Sequence, residues 1–321
     1  MKHLRMFSWF AILLLLWSCS TQTPAPTEPP QLQEQVNYQE TILKTIDAIN
    51  QQLSSRTFRL GKPGAQQEVT LFLNEVHVLQ TQSILDDIIV LSPSRWVPFD
   101  ARRNADGDKL TYLIDESDGN TASGLSSSQT TKALKRGTER FAKWMKNQTR
   151  RARLVRRSDT GVDPDITDSI CGYGYGDPFL ADIVHAGWYP GSTFDCWFGP
   201  GAKNFILAVS FSYIFLDHSN NPTDIDGNGF LDRALNENYY NDYFGDPNGI
   251  ASFPWEITEE EGALDVQTVG MHEFGHSLCI GHVKPPIGHS LMEAIYEGPF
   301  RRLDPYTRLN LAILYKPWPN T

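Results

Sequence analysis

Basic residues are the scarcer charged class in this chain. There are 28 lysine and arginine residues against 38 aspartate and glutamate residues, which gives a formal net charge of -10 at pH 7. A protein that binds nucleic acid needs a basic surface to meet the phosphates, so this balance argues against nucleic acid as a partner. The one basic cluster, residues 150–157, interleaves arginines with Ala152, Leu154 and Val155, which is typical of a half-exposed strand.

Long apolar runs are missing after the first twenty residues, so no later segment is expected to span a bilayer. The early run, residues 6–17, follows Lys2, His3 and Arg5 and has the charged head and apolar core of a secretory signal. It is too short to make a good membrane-spanning helix. We therefore expect an exported protein with residues 1–19 as its signal peptide.

The last residues of this signal indicate where the protein goes. The run Leu16-Trp17-Ser18-Cys19 resembles a bacterial lipobox, in which cleavage before the cysteine leaves Cys19 to carry lipid. Residues 20–37, rich in proline, threonine and glutamine, suit a flexible tether. We expect a lipid anchor in the bacterial cell envelope, and the alternative is a conventional signal that releases a secreted protein without lipid.

Cysteine is rare, and each of the four residues has its own context. Besides Cys19, the chain has Cys171, Cys196 and Cys279. Cys171 and Cys196 both lie in glycine-rich, aromatic loop sequence, where a cross-link constrains the most chain. In an oxidising compartment we therefore expect them to form a disulfide.

Apolar patterning predicts a mixed α+β domain behind a smaller N-terminal region. Helical spacing predicts a helix over residues 38–53, and alternation over 68–79 with an apolar run at 84–91 predicts a small β-rich region. We interpret residues 38–93 as a propeptide or a spacer and residues 94–321 as the main domain. Within it we expect helices and strands in this order: strand 110–114, helix 126–145, strands 153–155, 181–185 and 205–215, and a last strand, 234–240.

One segment, residues 272–282, carries the chemistry. Its sequence is His-Glu-Phe-Gly-His-Ser-Leu-Cys-Ile-Gly-His, and Asp265 stands before it as a candidate N-cap. His272 and His276 are four residues apart, so they share one helix face and can bind a single ion. His282 can join them only if the chain turns soon after residue 278. Three protein ligands leave a coordination position for water, as at a catalytic zinc.

Glu273 follows the first of these histidines and points near the open position. Its carboxylate can take a proton from a water whose pKa zinc lowers to about 7, and can carry that proton to a leaving amine. The segment therefore predicts a hydrolytic site with Glu273 as general base.

These residues resemble the HExxHxxGxxH signature of the metzincin zinc metallopeptidases, most closely the matrixin branch. Ser290-Leu291-Met292 resembles the family's Met-turn, in which Met292 would lie beneath the metal, and the similarity covers roughly residues 94–321. The resemblance implies a twisted mixed sheet, a zinc-bearing active-site helix and a C-terminal helix. It also implies a polypeptide substrate that binds antiparallel to an edge strand, with a specificity wall after Met292 that includes Tyr296.

The chain departs from this family at Cys279, where glycine is usual. Glycine tolerates a left-handed backbone at such a turn, whereas another residue pays about 1 to 2 kcal/mol. The turn could instead be taken at Gly281. The Cys279 thiol is expected to be a small buried group, and the alternatives are approach to the zinc or oxidation.

A second metal loop is expected over residues 224–232. It places oxygen ligands in the spacing of an EF-hand calcium loop, although Leu235 stands where the bidentate glutamate should be. The alternative is an acidic turn without an ion. The expected calcium ligands are Asp224, Asp226, Asn228, Phe230 through its carbonyl, and Asp232.

The sequence therefore predicts an exported zinc endopeptidase with calcium as a structural ion. The alternative is a non-catalytic envelope lipoprotein, stabilised by zinc and calcium, that binds proteins or glycans. Intact Glu273 favours the enzyme, and Cys279 favours the binding protein.

Overall fold

The computed structural model describes residues 37–103, 109–166, 171–172, 176–246, 253–284 and 289–318. The predicted signal peptide and Cys19, with all of the tether except Asn37, lie outside these ranges. The helices within them are α1 (Tyr38–Ser54), α2 (Ser127–Gln148), α3 (Gly191–Phe198), α4 (Val266–Ser277) and α5 (Pro305–Tyr315). The strands are β1 (Phe58–Leu60), β2 (Gln67–Gln80), β3 (Ile88–Ile89), β4 (Ser94–Arg95), β5 (Lys109–Ile114), β6 (Arg153–Arg156), β7 (Ile183–Tyr189), β8 (Ile206–Leu216), β9 (Leu231–Asn241), β10 (Trp255–Glu256) and β11 (Leu264–Asp265).

One mixed sheet organises the fold. Its strand order is β1-β2-β8-β9-β7-β5-β6, with β3 added beside β2 and β4 beside β9. The strands β6, β5, β7 and β9 run parallel, while β8 and β2 are each antiparallel to their neighbours. The predicted α+β class is therefore confirmed.

Helices cover both faces of this sheet. On one face, the apolar stripe of α1 and the aromatic residues of α3 form one hydrophobic cluster with the sheet. On the other face, α2, α4 and α5 form a second cluster that includes Phe141, Phe274 and Leu311. Because both faces are covered, all 11 residues of β8 are buried, which explains its nearly continuous apolar sequence.

The helix α4 is held close to α2 by two glycines. A Cβ on Gly270 would lie 2.3 Å from Leu134 Cδ2, and a Cβ on Gly137 would lie 2.7 Å from Met271 Cγ. Because neither glycine has a side chain, the two helix backbones approach each other closely at this crossing.

The regions predicted on either side of residue 94 share one sheet. Residues Val36–Thr321 form one compact unit. The strand β2 pairs with β8 from Thr70–Leu216 to Gln80–Ile206, and α1 buries Ile42, Ile46, Ile49 and Leu53 in the first cluster. The alternating pattern predicted a strand correctly, but a pattern does not specify which strand becomes its neighbour.

Most of the other predicted elements are confirmed, with shifts at their ends. The apolar run at residues 84–91 gives only the two-residue strand β3, which pairs with Glu75 and Val76 of β2. The arginine-rich segment is the half-buried strand β6, and a disulfide joins Cys171 to Cys196 in α3. Within the described ranges, no helix is both long and apolar enough to cross a membrane.

Candidate metal centre and active site

The zinc-motif helix α4 begins and ends where the sequence predicts. Asp265 caps it by accepting a hydrogen bond from Thr268 N at 3.0 Å. The helix ends at Ser277, and Cys279 then takes a φ of 64°, so the turn toward His282 is made at Cys279 and not at Gly281. Cys279 thus occupies the left-handed conformation that glycine adopts without strain.

The three histidines of the motif converge on one point. The Nε2 atoms of His272 and His276 are 3.1 Å apart. The Nε2 atom of His282 lies 3.1 Å from that of His272 and 3.2 Å from that of His276. The site combines two successive turns of α4 with the chain beyond Cys279. This is the grouping predicted from the sequence.

Each of these rings has an oxygen close to its other nitrogen, a hydrogen-bonded backbone carbonyl for His272 and His276 and an ion-pairing carboxylate for His282. Because Nδ1 carries the proton that faces an acceptor, the lone pair of Nε2 is left for a metal. The Nδ1 atoms lie 2.7 Å from Leu291 O for His272, 2.8 Å from Ile280 O for His276, and 2.8 Å from Asp87 Oδ1 for His282.

This arrangement fits a zinc ion. Three imidazole nitrogens at these separations could all bind one ion at the zinc–nitrogen distance of about 2.0 to 2.1 Å, and a set of three protein ligands would leave a position for water. Burial, followed by the nearby His282, lowers the pKa of His272 to about 3, and burial lowers the pKa of His276 well below its usual value. Both rings are therefore neutral, as metal ligands must be.

Glu273 is fully buried, with 0% of its surface exposed. Neither of its carboxylate oxygens hydrogen-bonds to any group among the described residues. Burial raises the pKa of Glu273 well above its usual value, although the charge of His77 opposes this. A buried carboxylate without a donor beside three metal-competent imidazoles is suited to exchange protons with a water.

Met292 packs against the motif helix. Its side chain is fully buried, and a Cβ on Gly275 would lie 2.3 Å from its sulfur. The glycine between the two helical histidines therefore makes room for Met292 to pack against α4. The methionine forms an apolar floor on that side of the helix.

A pocket of about 240 Å³ opens beside His272. It is lined by Leu79, by residues 289–291 and by the chain that follows Met292, including Tyr296. The Tyr296 hydroxyl accepts a hydrogen bond from Asp265 N at 2.9 Å and lies 3.2 Å from Ala263 O. Tyr296 therefore ties the pocket wall to the start of α4.

Sequence reasoning missed His77 and Asp87, which come from the N-terminal region. The ring of His77 stacks on His276 at 4.3 Å, and Asp87 Oδ1 lies 3.1 Å from His77 Nδ1. Burial alone would lower the pKa of His77, but Asp87 and Glu75 raise it to about 9. His77 Nε2 lies 3.4 Å from Glu75, so both of its nitrogens face carboxylates.

A nitrogen of His77 comes within 4.8 Å of His276 and His282, so these three residues could also be grouped as a metal site. The shorter distances among the motif histidines favour His272 as the third ligand. The commitment of His77 to two carboxylates supports the same choice.

The end of α4 is held by a buried cation from β9. Arg233 donates to the carbonyl of His276 at 2.8 Å and to Ser94 Oγ at 2.9 Å, and it forms an ion pair with Glu75. A positive charge at a helix C-terminus stabilises the helix dipole. No periodic pattern in the sequence predicts this contact, because the three partners of Arg233 come from separate parts of the chain.

The predicted calcium loop brings three carboxylates together. Oxygens of Asp224, Asp226 and Asp232 lie within 4.8 Å of one another, and Gly227 and Gly229 have positive φ. Asp232 also pairs with Arg102 at 2.7 Å. Two expected ligands have other contacts: the Asn228 side-chain oxygen accepts from Phe230 N at 2.8 Å, and the Phe230 ring packs under Arg95.

A second acidic cluster was not predicted. Oxygens of Asp115, Asp163 and Asp165 lie within 4.8 Å of one another. Burial raises the pKa of the neighbouring Asp118 to about 6, with help from Asp115 and Asp163. These residues come from two loops that are separated by α2 and β6, so nothing in their spacing predicted that they would meet.

Comparisons with known proteins identify no relative of this chain. A scan against protein-family models finds no match, and a search among curated proteins finds no similar sequence. The resemblance stated from residues 272–292 therefore depends on the motif and on the geometry of the site.

Proposed function

We propose that this chain is a zinc-dependent endopeptidase of the metzincin type. The observation that carries the proposal is the convergence of three Nε2 atoms within 3.1 to 3.2 Å, with an oxygen beside each Nδ1. The carboxylate of Glu273, which has no hydrogen-bond partner among the described residues, lies next to them. The chain supplies three neutral imidazole ligands and one potential base, which is the residue set of a catalytic site rather than of a closed structural one.

In this proposal His272, His276 and His282 hold the ion, and their Nδ1 partners keep the rings in place. Zinc, when bound, supplies a Lewis acid that acidifies water and polarises the scissile carbonyl. Glu273 takes a proton from the attacking water and delivers it to the leaving amine nitrogen as the carbon–nitrogen bond breaks.

The test is hydrolysis of an unstructured protein substrate by the full-length chain, with and without a chelator, beside the Glu273→Ala variant. We expect chelator-sensitive cleavage that falls at least about a hundredfold in the variant, because a general base contributes about 10² to 10⁴ in rate. Zinc content should stay at one ion per chain in both proteins. Cleavage that survives either treatment would contradict the assignment of this site.

A second candidate is an envelope protein that binds proteins or glycans and keeps zinc only for stability. The full burial of Glu273 favours it, because a general base must reach water. A zinc-loaded chain that cleaves no protein, and whose unfolding temperature falls when zinc is removed, would support this candidate.

Calcium and export belong to the same proposal. We propose calcium at Asp224, Asp226 and Asp232, whose clustered carboxylates provide oxygen ligands for a hard cation. Export is supported by the signal-like start of the sequence and by the Cys171–Cys196 disulfide, which suits an oxidising compartment. Attachment to a bacterial envelope through lipid on Cys19 is the corresponding proposal for location.

A further inference from the structure

The strand β2 pairs with β8, and its residue His77 stacks on His276 of the histidine site. It runs antiparallel to β8, and its last paired residues are Leu79 opposite Ala208 and Gln80 opposite Ile206. An exposed strand edge is the surface to which an extended peptide adds by backbone hydrogen bonds. In this chain the edge of β8 forms its backbone hydrogen bonds with β2.

The end of β2 is also bound on its other side. Gln80 N donates to Ala294 O at 2.9 Å, and Tyr296 N donates to Gln80 O at 2.8 Å, in a parallel bridge between Gln80 and Ile295. One residue later, Thr81 N donates to Phe205 O at 2.8 Å. This end of the strand therefore lies between β8 and the chain that follows Met292.

Side chains of this stretch point at the histidine site. Alternate residues of a strand share a face, so residues 77 and 79 point the same way. His77 stacks on His276, and Leu79 is buried and lines the pocket beside His272. The peptide bond between Val78 and Leu79 is thus close to two of the proposed zinc ligands. On its N-terminal side His77 stacks on His276, and on its C-terminal side Leu79 lies beside His272.

We propose, on the basis of the proposed function, that residues 76–80 occupy the cleft as a substrate would, with the Val78–Leu79 bond facing the three histidines. An external polypeptide enters only when this stretch is displaced. Its preferred class is an extended strand with an aliphatic side chain in the position of Leu79, next to the apolar and tyrosine-lined wall. With the stretch in place Glu273 is fully buried.

The experiment measures cleft occupancy without relying on hydrolysis. A fluorescent peptide hydroxamate with a leucine side chain is bound to the zinc-loaded full-length chain and to its Leu79→Asp variant, because a buried carboxylate at residue 79 should expel the stretch. We expect at least tenfold tighter binding of the probe to the variant. Ile89→Asp, which puts the same charge on an exposed residue of β3, should bind like the unaltered chain.

Equal affinity for the unaltered chain and a folded Leu79→Asp variant would overturn the proposal. If that variant does not fold, the unaltered chain decides: probe association should reach a rate plateau set by opening of the stretch, and a rate that rises linearly with probe concentration would overturn it. Tighter binding without cleavage by any variant would leave the occupancy standing and defeat the proposed function. Cleavage of protein substrate, together with equal probe affinities, would support the proposed function and overturn the occupancy of the cleft by residues 76–80.

Discussion

At the scale of single residues, Cys279 is the clearest departure from what its position requires. Its φ of 64° costs a residue with a side chain about 1 to 2 kcal/mol, and glycine avoids that cost. Cys279→Ala keeps the strain, whereas Cys279→Gly relieves it at some cost in unfolded-state entropy. We expect the glycine variant to be about 1 kcal/mol more stable than the alanine variant.

Equilibrium denaturation of these two variants in urea would measure the difference. Comparing the glycine variant with the alanine variant, and not with the unaltered chain, removes the packing of the Cys279 thiol from the measured difference in stability. Equal stabilities, or a more stable alanine variant, would mean that the backbone at residue 279 relaxes without strain. Zinc content should be the same in both, because residue 279 belongs to none of the metal-ligand groupings among the described residues.

Asp118 gives a prediction about pH. Its folded-state pKa of about 6 lies above the usual 3.8, because the side chain is half-buried and faces Asp115 and Asp163. Between these two pH values the folded chain binds more protons than the unfolded chain, so stability falls as pH rises and the penalty is complete above about pH 6. After a discount for partial exposure, we expect Asp118→Asn to gain about 1 kcal/mol at pH 7.5 and nothing at pH 3.5.

Thermal unfolding in a chelator, so that bound cations do not screen the carboxylates, is the appropriate measurement. Asp47→Asn, a change at an exposed residue of α1, is the matched control. A stabilisation of Asp118→Asn that is the same at both pH values would show that it does not arise from the carboxylate charge.

The residues of the zinc motif could be predicted because they are local. His272, Glu273 and His276 lie on adjacent helix turns, and the 3.6-residue period relates their positions directly. His77 and Arg233 could not be predicted, because they reach the site on β2 and β9, which both pair with β8. Asp87 lies just before β3, which pairs with β2. Their roles depend on tertiary contacts that a single sequence does not specify.

At the scale of elements, the loop between β8 and β9 combines a predicted cation site with a buried ion pair. Asp232 at its end is bound by Arg102, which also pairs with Asp100 at 2.8 Å. This anchor fixes one side of the loop, while Asp224 and Asp226 remain exposed. A bound cation would therefore chiefly order the exposed side of the loop, which carries Asp224 and Asp226.

We expect calcium at about a hundred times its dissociation constant to stabilise the folded chain by about 2.7 kcal/mol, and Asp226→Asn to remove most of this gain. Unfolding temperature with and without added calcium is the measurement. Asp217→Asn is the matched control, since Asp217 accepts backbone hydrogen bonds in a nearby turn without belonging to the cluster. A calcium effect that persists in Asp226→Asn would place the ion elsewhere.

The positions of the helices and strands in the sequence were largely predictable, whereas the strands with which each strand pairs were not. The apolar periodicity of α2 and β8 gave their positions within a few residues, because each buries a continuous face. The short strands β3, β4, β10 and β11 have two residues each and exist only through pairing. No periodic signal extends over so short a length.

At the scale of the whole molecule, the N-terminal region is part of the fold. It supplies β2 to the sheet, α1 to one face of the sheet, Asp87 as the ion-pair partner of His282, and Glu75 as that of the buried Arg233. The sequence pattern predicted its helix and strand but not their place, so it was interpreted as a separate propeptide or spacer. Strand pairing over long distances in the chain causes this difference, because it is set by the complete sheet.

We therefore expect a fragment of residues 94–321 not to fold, whereas residues 36–321 should unfold cooperatively like the full-length chain. Removing β2 and α1 exposes the edge of β8 and the aromatic face of α3, and it leaves Arg233 buried without its carboxylate. Breaking a buried ion pair alone costs about 3 to 5 kcal/mol, which is comparable with the total stability of many domains. Near-ultraviolet circular dichroism and urea unfolding of both fragments would test this. A cooperative transition in the shorter fragment would show that the N-terminal region is dispensable for folding and could be removed as a propeptide without unfolding the rest.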